Sequence, residues 1–598
     1  MNLRKITGFS LILVFLAILG GGWLFDHTRA EGDDFYESLL RLDDMFRKVK
    51  THYVVDVPAE SLVVYAVDGM RGILDPHTNY FEEKEYDNLM IQTKGEFGGL
   101  GINIGLTDNV LTVIAPLPIP NSPAMKVGLL SGDRILKINN ETTKGMDLDI
   151  AVTKLRGPKG SKVTISILRE GVPDVFDVEL ERDIIKINSV PYFGMLDEKA
   201  KIGYIKLVSF TQDTDKEMEV AIKALIKKGI ASLVLDLRSN PGGLLNQAVR
   251  VSEFFLPPDR MIVYTKGRSE KSAAVFKSTR TPLLDPAIPL LVLVNQGSAS
   301  ASEIVSGAIQ DHDRGVILGN ETFGKGSVQT ILPLERNKAL KLTTAYYYTP
   351  SGRCINKVYN EVGVSRHEKE RKLESELEKL RNEGKDTTKV SLPKEAFKTL
   401  GVGRTVYASG GISPDIDMQA ERYSPLEIEL LRKSLLFQFA VSEVAKMKTK
   451  GITLQEDKLT VTDNLYDQFI AFCKDKKLDY NTPEQTVFKE MKEALVRTRR
   501  NPRDTTHLLT GPNDAEIDQK LSELEKVMAK DKDYAFNRYK SIIQDQLTLS
   551  FLSVGIGQDA YYRHALKNDN YIAAAVDILK NRKRYDSILK KDFRKEGI

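Results

Sequence analysis

Three short stretches of this sequence carry residues whose types and order suit acyl transfer. Residues 295–303 read Asn-Gln-Gly-Ser-Ala-Ser-Ala-Ser-Glu, directly after the apolar run 290–294 and at the start of a helical pattern. Small side chains let the backbone turn sharply and leave a hydroxyl exposed, and a helix N-terminus favours negative charge developing there. The same block also reads as a cap: Ser298, Ser300 or Ser302 can close the helix, and Ser300 with Glu303 fits a capping box. Residues 236–243, Asp-Leu-Arg-Ser-Asn-Pro-Gly-Gly, likewise end an apolar run and precede a helical pattern. Backbone N–H groups in such a loop can hold an anion or a developing oxyanion, or the loop is simply a tight strand-to-helix turn.

A serine nucleophile needs a base. His312 is the nearest histidine, but it follows the predicted helix 302–310. At the helical rise that puts it roughly 15 Å from the serine block, far outside hydrogen-bond reach. The third stretch, Thr322-Phe323-Gly324-Lys325-Gly326-Ser327-Val328-Gln329, offers a lysine between two glycines. Burial disfavours the charged form of a lysine and so makes it a base near neutral pH. Gln329, four residues on, can hold the amine by its side-chain amide. Read alone, Gly-Lys-Gly is equally a surface turn. The GxxxxGK[ST] spacing of a phosphate loop is absent.

The elements that must position these residues follow from periodicity. Strand-like runs at 202–208, 232–237, 290–294 and 315–318 alternate with helical patterns at 215–228, 245–255 and 302–310. That βαβ rhythm predicts a mostly parallel sheet covered by helices, over a core spanning 183–357. Before it, residues 31–94 read as helices and 95–182 as a compact β-rich domain with clustered glycines. After it come a charged insertion at 358–400, a return of β-like sequence at 401–423 and a helical region at 424–598. The chain is thus multidomain α/β.

The bulk numbers exclude several classes. A net charge of +4 over 598 residues is nearly neutral, which argues against a nucleic-acid binder. Two cysteines allow no disulfide framework, and seven scattered histidines form no HExxH or ligand cluster, so no metal or other cofactor is expected. Arg4 and Lys5 precede an apolar run from 6 to 25. This fits either an export signal or a membrane-spanning helix; its length favours an uncleaved anchor over residues 1–30, with the rest extracytoplasmic, on the periplasmic side of a cell envelope.

Together the motifs resemble the C-terminal processing peptidases, the tail-specific serine proteases of peptidase family S41. The resemblance rests on Leu-Asp-Pro-His-Thr (74–78), Gly-Glu-Phe-Gly-Gly-Leu-Gly-Ile (95–102), Asp-Leu-Arg-Ser-Asn-Pro-Gly-Gly (236–243), Gly-Ser-Ala-Ser-Ala-Ser-Glu-Ile (297–304), Gln-Asp (310–311), Thr-Phe-Gly-Lys-Gly-Ser-Val-Gln (322–329) and Gly-Gly-Ile-Ser-Pro-Asp (410–415), in order. It implies a serine endopeptidase with a crotonase-like, tail-protease core. Its nucleophile falls on Ser300, its base on Lys325 and its orienting amide on Gln329. The oxyanion hole falls on the N–H of Ala301 and a glycine of the Asn-Pro-Gly-Gly loop, taken as Gly243.

Residues 95–182 then resemble a PDZ domain, in which Gly98, Gly99, Leu100, Gly101 and Ile102 receive the C-terminus of a protein substrate with an apolar tail. Arg156 resembles an arginine that links the PDZ position to the active site. The charged insertion and the helical 424–598 region depart from the common pattern; the latter is a place for self-association or an adaptor. Two rival readings remain, a catalytically inactive PDZ scaffold and a Ser-His hydrolase.

Overall fold

The structure, a computed structural model, describes residues 33–116, 122–335, 337–357, 395–408, 410–419, 422–501, 504–508 and 511–590. The apolar segment predicted as an anchor and most of the charged insertion lie outside these residues. The chain divides into two compact units. The smaller comprises 1–83, 329–343 and 358–390. In it, helices Asp33–His52 and Ala59–Arg71 precede the strand Asn79–Phe81, which pairs antiparallel with Ala339–Lys341. Lys338 is held there between Glu60 and Glu82, each at 2.8 Å.

The larger unit holds both the β-rich domain and the core. In the β-rich domain, strand β1 (Ile102–Thr107) lies at the edge of an antiparallel sheet next to Val110–Pro116, and helix α1 (Leu148–Leu155) closes one side. Its core is Leu111, Val113, Ile135, Val163, Ile165 and Ile167, all buried. The predicted runs at 110–115 and 134–138 are strands, at Val110–Pro116 and Arg134–Ile138.

The core is one six-stranded sheet whose strands lie side by side in chain order: β2 (Tyr192–Asp197), β3 (Ile202–Lys206), β4 (Ser232–Asp236), β5 (Leu290–Val294), β6 (Val316–Gly319) and β7 (Ile416–Asp417). Only the β2–β3 pair is antiparallel. The continuous apolar runs that predicted buried strands are explained by two covered faces. Leu233, Leu235, Val292, Val294 and Ile317 point to one side, against helices α2 (Thr214–Lys227), α3 (Leu245–Glu253) and α4 (Ala301–Asp311). Val234, Leu291, Leu293, Val316 and Leu318 alternate to the other.

What covers that second face was not visible in the sequence. After helix α5 (Gln558–Ala565), helices α6 (Asn570–Lys580) and α7 (Arg582–Ile588) lay Tyr571, Ile572, Ala575, Ile578, Tyr585 and Ile588 on the sheet. The Tyr585 hydroxyl donates to Leu290 O at 3.0 Å, at the start of β5. The region read as a single helical extension therefore has two parts. Residues around Leu426, Phe439, Phe469 and Phe551 form their own core, while its last helices complete the sheet of the larger unit. The charged insertion is also shorter on its C-terminal side than read: Glu395–Lys398 is a strand paired with Thr405–Ala408.

Truncating a fully buried residue of α6 should consequently unfold the core, not a separate appendage. Ile578→Ala is expected to cost about 2–5 kcal/mol, with the sheet and its helical layer losing tertiary structure in one denaturant transition. Separate transitions would contradict the shared layer.

Candidate active site

The serine block bridges β5 and α4. Ser300 takes φ +53° and ψ −111°, a backbone state that costs a non-glycine residue about 1–3 kcal/mol. Its neighbours hold it there. Ser298 Oγ donates to Leu237 O at 2.8 Å and accepts from Asn295 N–H at 3.0 Å. Ser302 Oγ donates to Asn240 O at 2.9 Å, and Ala299 N–H donates to the same oxygen at 3.0 Å. Ser298 and Ser302 are buried and engaged in tying this block to the loop after β4, whereas Ser300 is half-buried.

That second loop is shaped by Asn240. Its Nδ2 donates to Leu207 O and its Oδ1 accepts from Gly242 N–H, both at 2.9 Å. Gly242 O accepts from Phe210 N–H at 3.0 Å. A trans peptide directs its N–H opposite its C=O, so Gly243 N–H points away from Phe210. Among the described residues, the N–H groups of Gly243 and Ala301 have no hydrogen-bond partner. Gly242 sits at φ +98°, and a Cβ there would lie 2.8 Å from Ser300 Cβ and 2.9 Å from Ala301 N. Both glycines are required for close approach, since a Cβ on Gly243 would lie 2.2 Å from Phe210 O, and Gly243 also keeps the free donor.

The lysine loop follows β6. Gly324, at φ +86°, passes so close to Gly410 O that a Cβ would lie 1.7 Å from it. The Gly-Lys-Gly pattern thus reflects two close approaches, Gly324 to Gly410 O and Gly326 to Asn356 N, where a Cβ would lie 2.6 Å away. Glu303, fully buried on the first turn of α4, joins the two loops. Its Oε2 accepts from Ser300 N–H (2.8 Å) and Lys325 N–H (3.0 Å), and its Oε1 from Thr322 Oγ1 (2.5 Å) and Gly324 N–H (2.8 Å). The Ser300 and Lys325 backbones therefore meet at a single oxygen atom. Burial raises the Glu303 pKa, and these four donors oppose the rise. From the other side, the buried Tyr347 hydroxyl reaches the carbonyls of both residues, at 3.1 Å from Ser300 O. The capping box was legible; that its carboxylate also holds the lysine loop was not, and Tyr347 carries no signal in its strand sequence.

The other predicted residues fall as follows. His312 ends α4, roughly 18 Å along the helix axis from Ser300, and its Nε2 bonds Met261 O at 2.7 Å. Gln329 lies on the strand Ser327–Leu334, with its amide nitrogen buried and without a hydrogen-bond partner among the described residues. Gly99, Leu100, Gly101, Ile102 and Arg156 line one cavity of about 470 Å³. Gly98 does not: it is pressed against Gly157, where a Cβ would lie 2.1 Å from the carbonyl oxygen. Arg156 lies 4.7 Å over the Phe97 ring and donates to Asn88 Oδ1 at 2.7 Å. Cys354 and Cys473 are free thiols.

One further group was missed. Asp236, at the end of β4, accepts from Tyr204 Oη (2.8 Å), Lys206 Nζ (3.2 Å) and Arg238 Nη2 (2.6 Å). Burial alone would raise its pKa, but Arg238 and Lys206 outweigh burial and hold it well below the usual carboxylate range. Arg238 also pairs with Asp569 at 2.7 Å and lies 5.0 Å over the Tyr571 ring. The root of the Asn-Pro-Gly-Gly loop is thereby pinned to the start of α6.

A sheet covered on both faces, a serine at a strained strand-to-helix turn, two unpaired N–H groups and a joined PDZ-like domain define a PDZ-containing serine-type protease. The pattern of Peptidase family S41 matches residues 201–369, that of the PDZ domain 116–169, and "Probable PDZ-protease, C-terminal helical domain" 426–579. The chain is 44% identical over 324 residues to a carboxy-terminal-processing protease of Bartonella bacilliformis, covering 54% of this chain and 73% of that one. It is 38% identical over 299 residues to a carboxyl-terminal-processing protease of Picosynechococcus, covering 49% and 70%. Among solved structures it resembles a photosystem II D1 C-terminal processing protease, at 30% identity and a TM-score of 0.32, covering 54% and 84%. The chain belongs to the carboxy-terminal-processing proteases.

Two variants probe this geometry. Glu303→Gln keeps the shape but turns an NH₂ toward two of four donors, so kcat should fall at least about 100-fold with the fold retained by circular dichroism. Gly242→Ala should lower kcat by about 10²–10³ with KM little changed. Wild-type kcat in either variant would contradict the geometry.

Proposed function

We propose that Ser300 and Lys325 form the catalytic dyad of a protease that captures substrates by their C-termini. The observation that carries the pairing is the Glu303 carboxylate, which accepts from the N–H of both residues. Ser300 Oγ attacks the scissile carbonyl carbon while the neutral Lys325 amine takes the hydroxyl proton. The oxyanion lies against the N–H groups of Ala301 and Gly243. Collapse breaks the C–N bond, and the lysine ammonium returns its proton to the leaving amine. Water, deprotonated by the same amine, then hydrolyses the Ser300 ester.

The PDZ cavity supports capture of a free carboxylate. Its lining includes the cations Arg156 and Lys186, no Asp or Glu, and the apolar Leu100, Ile102 and Leu155. An extended tail adds to the open edge of β1. The apolar segment at residues 6–25 supports an extracytoplasmic location, with exported proteins as substrates.

Ser300→Ala and Lys325→Ala, assayed separately on an unstructured protein with an apolar C-terminus, should each lose at least about 10³-fold in kcat/KM while remaining folded. Full activity in either variant would refute the dyad. His312→Ala should leave turnover intact; its loss would favour a Ser-His hydrolase.

A further inference from the structure

The walls of the PDZ cavity do not all come from the PDZ domain. Strand β1 supplies Ile102, Asn103 and Ile104, and helix α1 supplies Val152 and Leu155. The remaining side includes Gln558 and Tyr562, both from α5 of the C-terminal helical region. A second cavity of about 600 Å³ adjoins the first and shares Asn103, Gln558 and Tyr562 with it. These two side chains therefore stand beside the tail-binding edge on two fronts.

Helix α5 is fixed in this place. The Tyr562 ring stacks on Tyr192 of β2 with centroids 5.2 Å apart and planes 18° apart, and Tyr192 in turn meets Tyr204 at 6.2 Å. Arg563 forms a two-point bond with Glu456, at 2.6 and 3.0 Å. This helix rests on the sheet of the protease core and is not a loose flap over the groove.

An extended peptide sends alternate side chains to opposite sides. When its last side chain enters the pocket of Leu100, Ile102 and Leu155, its penultimate side chain faces away from the PDZ domain. On an isolated PDZ domain that residue would face water. Here it faces α5. We propose that α5 is a specificity wall of the tail-binding groove, in which Tyr562 packs against the penultimate residue of the substrate and Gln558 borders it. The PDZ domain reads the last residue and the helical region reads the one before. This rests on the C-terminus-capture reading above.

The test uses the full chain carrying Ser300→Ala, so that bound peptide is not cut. Fluorescein-labelled decapeptides ending in Tyr-Leu, Ala-Leu or Asp-Leu are titrated by anisotropy, each as the free acid and as the C-terminal amide. Tyr562→Ala should weaken the Tyr-Leu acid about fivefold and leave the Ala-Leu acid within about twofold. Gln558→Lys, at a half-buried site on the cavity wall, should tighten the Asp-Leu acid about fivefold relative to the Ala-Leu acid. Unchanged selectivity among the three peptides in both variants would overturn the proposal. Tighter binding of every peptide by Tyr562→Ala would overturn it in favour of α5 as a lid. If the parent binds acid and amide alike, or neither, the C-terminus-capture reading itself fails. That outcome is distinct from carboxylate-dependent binding that ignores Tyr562.

Discussion

One buried carboxylate organises the centre of this molecule. Glu303 sits on the first turn of α4 and accepts hydrogen bonds from the serine loop and from the lysine loop. Taking a carboxylate out of water is costly unless its lone pairs are filled, and here four donors fill them. The cost of burial makes the arrangement specific: if either loop moves, the carboxylate loses partners in a site water does not reach. Tyr347 repeats the constraint at the carbonyls of Ser300 and Lys325. The strained φ of Ser300 persists because its neighbours on both sides are hydrogen-bonded into place.

The sheet beneath supplies the rest of the rigidity. Its parallel strands end together, so the loops after β4, β5 and β6 emerge side by side, which is where an open α/β sheet places its ligands. Each strand is apolar on both sides and needs two covering layers. The chain supplies one from the helices between the strands and the other from helices some 150 residues beyond the last strand, Asn570–Lys580 and Arg582–Ile588. Arg238 links this distant layer to the Asn-Pro-Gly-Gly loop, because its guanidinium pairs with Asp236 on one side and Asp569 on the other. The C-terminal helical region is thus part of the catalytic scaffold as well as a neighbour of the PDZ cavity.

Much of the site was legible in residue order. The Ser-rich block, the Gly-Lys-Gly turn and the Asn-Pro-Gly-Gly loop each announce themselves through small residues, because close backbone approach leaves no room for side chains. The strands of the core were legible too, since two-sided burial produces unbroken apolar runs. Of the capping box read at Ser300 and Glu303 only the glutamate half forms: the Ser300 hydroxyl makes no cap hydrogen bond, and the Glu303 carboxylate holds both the Ser300 N–H and the lysine loop.

By itself, the sequence determined the order of elements, the chemistry available in each loop and the distance of His312 from the serine block, since a helical pattern separates the two. Tertiary structure alone decided which residues meet. Glu303 with Lys325, Tyr347 with Ser300 O, Arg238 with Asp569 and Tyr562 beside the PDZ cavity join positions from about twenty to more than four hundred residues apart. Such pairings leave no local periodicity or spacing. They arise from sheet order and from packing one face against a distant helix, so they exist only once the chain is folded.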